Sequence, residues 1–264
     1  MSEKNDPWDE LKSYTPARLG LGRVGASLPT KPWLAFGVAH AAARDAVHTL
    51  INWDQLEESL RKAHVQHVLR VASAATDRGT YLRRPDLGRR LDDDSKARLL
   101  SAQGAIAEPP AVVWVLGDGL SAAALENHAV PLLLALRAEN EAVVRGPVVL
   151  ANNARVALGD EIGAMYGAEF VVVAIGERPG LSSPDSLGLY LTRAPKPGRL
   201  DSERNCLSNV RAQGMSYTVA ALKLCALIDG ARALGATGTR LKDDTDSEGR
   251  LLSGPTPRAQ IPIA

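Results

Sequence analysis

Phe170-Val-Val-Val-Ala-Ile-Gly176-Glu-Arg-Pro-Gly180-Leu-Ser-Ser-Pro-Asp-Ser-Leu187-Gly-Leu-Tyr-Leu-Thr192-Arg carries the reading of the whole chain. A β-branched apolar run, Phe170 to Ile175, ends abruptly in Gly176-Glu177-Arg178-Pro179-Gly180, a glycine turn holding both charges. A second short strand pattern spans Leu187 to Thr192. A Pro/Gly connector follows, then the polar segment Asp201-Ser-Glu-Arg-Asn-Cys-Leu-Ser-Asn209, with Cys206 in its middle. Strand, charged glycine turn, strand and polar cap together are a way for an α/β domain to line a ligand crevice.

Working outward, the same alternation recurs upstream. Pro109-Pro110 precedes Ala111-Val-Val-Trp-Val-Leu116, a buried-strand run closed by Gly117-Asp118-Gly119. Leu120 to Glu139 reads as a helix, Val148 to Ala151 as a strand, and Ala157 to Tyr166 as a short helix closed by Gly167. Met215 to Leu234 reads as a long helix ending at Gly235. Strands separated by helical runs predict βαβ units and a mainly parallel sheet. Before Ala111 the pattern reads as helical, with no convincing strand. Thr15-Pro16 has the form of a helix start, Trp33 to Ile51 is apolar at helical spacing, and Asp54 continues to Ala72 on a 3.6-residue period. Asp92-Asp-Asp-Ser is a strong helix start. The expected organisation is therefore a helical region over 1–108, an α/β domain over 109–241 and a weakly ordered tail over 242–264.

Composition narrows the function classes. Of 264 residues, 45% are apolar, enough for a sizeable core. Thirty-one basic against thirty acidic residues leave a net charge of +1, which argues against a general polyanion binder and so against nucleic acid. No apolar run is long enough to span a membrane, and the polar N-terminus lacks a secretory signal; a cytoplasmic protein is expected. Cys206 and Cys225 show neither a disulfide framework nor metal spacing.

Several motifs are decoys. Gly20-Leu-Gly-Arg-Val-Gly25 matches G-x-G-x-x-G, yet no strand precedes it and Pro29 and Pro32 follow, so the dinucleotide context is missing. Asp244 to Gly249 imitates a calcium loop with Pro255 where the bidentate Glu belongs. His64 and His67 share a helix face in this reading, but no carboxylate completes a metal set. Asp77 to Arg90 carries Arg78, Arg83, Arg84, Arg89 and Arg90 around Tyr81. With Asp77, Asp86 and Asp92–Asp94 diluting the charge, a protein contact is favoured over RNA. No P-loop, serine elbow or nucleophile–base pair occurs, so no catalytic residue is assigned. The residues alone imply an α/β domain with a polar crevice for a large ligand. A stand-alone nucleotide-type binding domain and a non-catalytic scaffold both stay open.

One resemblance is more specific. Thr15 to Gly25, Ala43 to His48, Asp77 to Leu91, Gly117 to Ala122, Ala154 to Gly163, Gly176 to Leu181 and Arg204 to Asn209 together resemble the small subunit of adenosylcobalamin-dependent ethanolamine ammonia-lyases. The likeness covers roughly Pro7 to Lys242. It implies one subunit of a lyase that converts ethanolamine to acetaldehyde and ammonia through radicals, with a large subunit holding the substrate. It also implies a Rossmann-like domain, preceded by a helical region, against the nucleotide side of the cobalamin. The family's cofactor-binding positions fall on Val156, Glu177 and Cys206. Because D-x-H-x-x-G is absent, the cofactor is expected to keep its own base. Residence inside a bacterial microcompartment stays open.

Overall fold

The computed structural model describes residues 8–249 apart from 66, 105, 107 and 247. In chain order its elements are α1 (Trp8–Lys12), α2 (Thr30–His48), α3 (Trp53–Lys62), β1 (Val68–Ala72), α4 (Arg78–Arg83), α5 (Asp93–Gln103), β2 (Val112–Gly117), α6 (Ala122–Glu139), β3 (Val148–Asn152), α7 (Leu158–Met165), β4 (Phe170–Gly176), β5 (Leu187–Arg193), β6 (Asn205–Val210) and α8 (Tyr217–Leu234). The strands form one sheet in the order β1-β3-β2-β4-β5-β6. It is an α/β fold with a mixed sheet.

Strands β2 and β4 lie side by side in the middle and are buried at every position, which explains their continuous apolar runs. Alternation still sorts their side chains. Val112, Trp114 and Leu116 join α3, α6 and α8 in one core. Val113 and Val115 join Leu99 of α5 and Leu158 and Ile162 of α7 in the other. The indole of Trp114 donates from Nε1 to Val143 O at 2.8 Å, so its burial leaves no polar group unpaired.

Four sequence expectations need correction. The sheet is parallel only through β1, β3, β2 and β4; β5 and β6 run antiparallel. Short connections after β4 and β5 allow hairpin-like returns, while parallel pairing needs a crossover. The first hundred residues do contribute a strand, because the helix beginning near Asp54 stops at Lys62. Its end is a Schellman-type turn: Val65 N–H donates to Leu60 O at 3.0 Å while His64 takes φ 57°. Glycine usually fills that left-handed position, so the stop was hidden, and neither His64 nor His67 lies on a helix. Thr15-Pro16 opens no helix; the next one begins at Thr30. The polar cap around Cys206 is itself the edge strand β6.

Asp92 caps α5 as expected, accepting from Ser95 N–H at 2.6 Å. Part of the tail expectation, from 250 onward, lies outside the described residues. Before that point, Asp243 pairs with Lys223 of α8 at 3.0 Å.

Candidate cofactor crevice

Helix α6 leaves β2 for one face of the sheet, and α7 leaves the neighbouring β3 for the other. Outgoing loops of adjacent strands therefore diverge, and such a switch point at the carboxyl edge opens a crevice in α/β sheets. A crevice of about 260 Å³ lies at this edge. Gly119 and Leu120 line it from the end of β2, Arg155, Val156 and Ala157 from β3, and Gly176, Glu177 and Arg178 from β4.

Glycine is required where these turns meet. Gly119 adopts φ +53°, and a Cβ there would stand 2.3 Å from Gly176 O; a Cβ on Gly176 would stand 2.1 Å from Ser121 O. Leu120 N–H donates to Gly176 O at 2.9 Å across this close approach. Asp118, between the two glycines, is buried and ties β2 to β3 by accepting from Ala154 N–H at 3.1 Å. Burial pushes its carboxyl above the usual range, while Arg78 and the backbone N–H groups oppose that shift.

The arginine-rich segment is built into the wall of this crevice. Arg78 donates to Val47 O at 2.8 Å and Gly119 O at 2.7 Å, and it lies 3.4 Å from Asp118. Tyr81 is buried between guanidinium groups, with Arg78 at 4.9 Å and Arg155 at 4.7 Å from the ring centroid. Its hydroxyl donates to Ala154 O at 3.1 Å. Burial pushes the Tyr81 phenol up to about 12, so it remains a donor at neutral pH. Arg84 is spent on Asp86 in an exposed bidentate pair, whereas Arg89 faces the crevice.

Across the opening, Glu177 is held in place. Its Oε2 accepts from Ser186 Oγ at 2.6 Å and from Asn209 N–H at 3.1 Å. Glu177 thereby bridges the β4–β5 loop to the end of β6. Behind it, Arg204 at the foot of β6 forms a bidentate pair with Asp160 of α7 at 2.5 and 2.6 Å. Their side chains are only 2% and 1% exposed.

The family model described as "Ethanolamine ammonia-lyase light chain" matches residues 5–242. The chain belongs to that family. Among relatives named "Ethanolamine ammonia-lyase small subunit", that of Bradyrhizobium diazoefficiens is 51% identical over 243 residues, covering 90% of this chain and 91% of the relative. That of Azotobacter vinelandii is 49% identical, covering 91% of this chain and 90% of its own length. That of Pseudomonas fluorescens is 46% identical and covers 97% of each chain.

Of the three positions drawn from the resemblance to ethanolamine ammonia-lyases, the fold brings Val156 and Glu177 to one crevice. Cys206 is outside its lining. It sits at the start of β6, exposed, directly across from Tyr190 of β5, and Tyr190 does line the crevice. Sequence reasoning missed Tyr81, Arg155, Tyr190 and Asp201 as lining residues. Arg155 could have been found, since it directly precedes Val156. Tyr190 could not, because its place depends on the pairing of β5 with β6.

Proposed function

We propose that this chain is the cobalamin-binding subunit of an ethanolamine ammonia-lyase, which converts ethanolamine to acetaldehyde and ammonia. The observation that carries this reading is the meeting of Val156 and Glu177 at one switch-point crevice. A pocket that encloses even a drug-sized ligand has roughly 300–1,000 Å³. This crevice, at about 260 Å³, can accept only part of a corrinoid, so a partner must cover the rest.

The residues fit such a ligand. Glu177 Oε2 is already occupied, and Oε1 is free of protein donors among the described residues, leaving it available to corrin side-chain amides. Val156 offers backbone, and Tyr190 with Cys206 offers a packing surface along β5 and β6. Bound adenosylcobalamin, keeping its own base, would supply the radical chemistry. This chain's part is to bind and orient. A Rossmann-like description rests on the parallel β1-β3-β2-β4 half and its switch point.

A large, substrate-holding subunit also accounts for α2. That helix has no buried residue, yet it carries Trp33, Leu34, Phe36 and Val38 in the open. Exposed apolar surface of this kind marks a protein interface. The test is reconstitution. The chain alone should release no ammonia from ethanolamine, and the complex with its large subunit should take up cobalamin and do so. Turnover by partner-free chain, or a complex without bound cobalamin, would overturn the proposal.

A further inference from the structure

Helix α2 touches α6 but buries none of its own residues, so packing alone holds it loosely. Its C-terminal end is fixed by a side chain from another element. Val47 O is among the last carbonyls of the helix, which have no donor within it, and it accepts from Arg78 Nε at 2.8 Å. A cation at this end also suits the helix dipole. The chain rejoins the core just beyond, at Ile51 and Trp53, where Asn52 N–H donates to Glu126 Oε1 of α6 at 2.7 Å.

The same guanidinium reaches a second element. Arg78 Nη1 donates to Gly119 O at 2.7 Å and lies 3.4 Å from Asp118 Oδ2. Gly119 O and Leu120 N–H belong to one planar peptide, and that N–H donates to Gly176 O at 2.9 Å. Three hydrogen bonds in series therefore join the end of α2, Arg78, the turn after β2 and the last residue of β4. The far end of this relay has little slack, since a Cβ on Gly119 would stand 2.3 Å from Gly176 O. Arg78 is itself held. Its side chain is 10% exposed, its helix is capped by Asp77, which accepts from Thr80 N–H at 2.9 Å, and it lies 4.9 Å from the Tyr81 ring centroid. Its Nη2 is buried and meets no acceptor among the described residues. An incompletely satisfied buried guanidinium is a poor way to fill space; what it does here is span two elements.

We infer that Arg78 is a positioning residue that couples the seating of α2 to the turns at the ends of β2 and β4. It does not line the crevice. The inference rests on α2 being the surface that the large subunit covers, as proposed above. Docking at α2 then fixes Val47 O, Arg78 and the Gly119–Leu120 peptide together, so Gly176 is held before any cofactor arrives. The coupling runs both ways, because whatever orders the Gly119 turn also favours the docked position of α2.

Amide hydrogen exchange of the cobalamin-free protein reads the two ends of the relay separately, at Leu120 for the turn and over Trp33 to Val47 for the helix. In the wild type, adding the large subunit should slow exchange across α2 and slow that of Leu120 by about tenfold or more, as one strengthened hydrogen bond would. Arg78→Lys keeps a cation beside Asp118 but lacks the planar fork that holds two carbonyls in a fixed geometry. In that variant α2 should be protected as before, while the effect on Leu120 drops below about twofold. Should Arg78→Lys not fold, Trp33 and Phe36 replaced by serine decide the matter at saturating large subunit: α2 and Leu120 should lose protection together. Leu120 protection that survives Arg78→Lys, or that persists in the serine variant after α2 has lost its own, would overturn the coupling and leave the docking of α2 intact. Equal loss at both ends in Arg78→Lys would make the residue structural only and overturn the coupling as well. A large subunit that leaves wild-type α2 unprotected would overturn the docking reading itself.

Discussion

The sheet and helix α2 both carry large apolar side chains, with opposite fates. In β2 and β4 every residue is buried, and the carboxylates of Asp118 and Asp160 are paired inside the fold. Helix α2 runs nineteen residues without burying one, with Trp33 62% and Val38 72% exposed. Near its C-terminal end, Val47 O accepts from Arg78. The sheet buries its surface through its own chain. Helix α2 leaves large apolar side chains exposed. The crevice lies between these regimes, with walls built from strand ends and an opening to solvent.

The sharpest way to break this contrast is to attack the self-sufficient side. Arg204→Met should leave Asp160 buried without its partner and destabilise the chain by about 3–5 kcal/mol, because an uncompensated interior carboxylate is the main cost. Adding Asp160→Leu should restore much of that loss, since an apolar pair of similar volume needs no desolvation. Denaturant unfolding of both variants checks this. A loss below about 1 kcal/mol for the single substitution would mean that the pair is solvated and the sheet side less closed than described.

Helix α2 supplies the reverse test. Replacing Trp33, Phe36 and Val38 with serine should leave the stability of the isolated chain within about 0.5 kcal/mol, as for exposed positions elsewhere. Each anchor that is central to an interface should instead cost about 2 kcal/mol in assembly with the large subunit. Calorimetry of the chain and sedimentation of the complex measure the two sides separately. If the isolated chain unfolds readily and assembly is unchanged, α2 belongs to the chain's own core in solution.

The same contrast explains how much was legible in the sequence. Runs such as Val112–Gly117 and Phe170–Gly176 announced central strands because burial on both faces leaves only apolar residues. The crevice could be located from glycine turns at strand ends, and Val156 and Glu177 do meet there. What stayed hidden depends on partners distant in sequence. Strand β1 is short and half-buried, and it follows a helix end with histidine in the glycine position. Strand β6 is polar because it is an edge, so it read as a cap. Helix α2 was recognised as a helix, but periodicity shows an apolar face without saying whether the chain itself covers it.

Glu177 sits where the two regimes meet, and a smaller effect is expected there. Glu177→Gln keeps the size and weakens the bonds from Ser186 and Asn209, so the chain should lose about 1 kcal/mol of stability. Cobalamin affinity of the complex should fall about tenfold or somewhat more, since a charged acceptor becomes partly a donor. Melting temperature and equilibrium binding, measured side by side, separate the two losses. A stability loss with unchanged affinity would make Glu177 a structural bridge only.

Cys206 should give the smallest effect and the clearest view of the open edge. On an exposed edge strand, Cys206→Ser should change stability by less than about 0.5 kcal/mol. Its thiol is raised above the ordinary cysteine range, first by partial burial and then by the nearby Glu177 carboxylate, with the Tyr190 contact opposing. Burial pushes Cys225 up to about 11. Only thiolate reacts with iodoacetamide, so both cysteines should alkylate slowly at neutral pH and faster as pH rises. Cys206, being exposed, should react first. If the corrin ring lies across β5 and β6, cobalamin in the assembled complex should protect Cys206 and leave Cys225 unaffected. Protection by the large subunit alone would place Cys206 under the partner protein. No protection by either would leave β6 outside the covered surface and confine the ligand to the crevice between β2, β3 and β4.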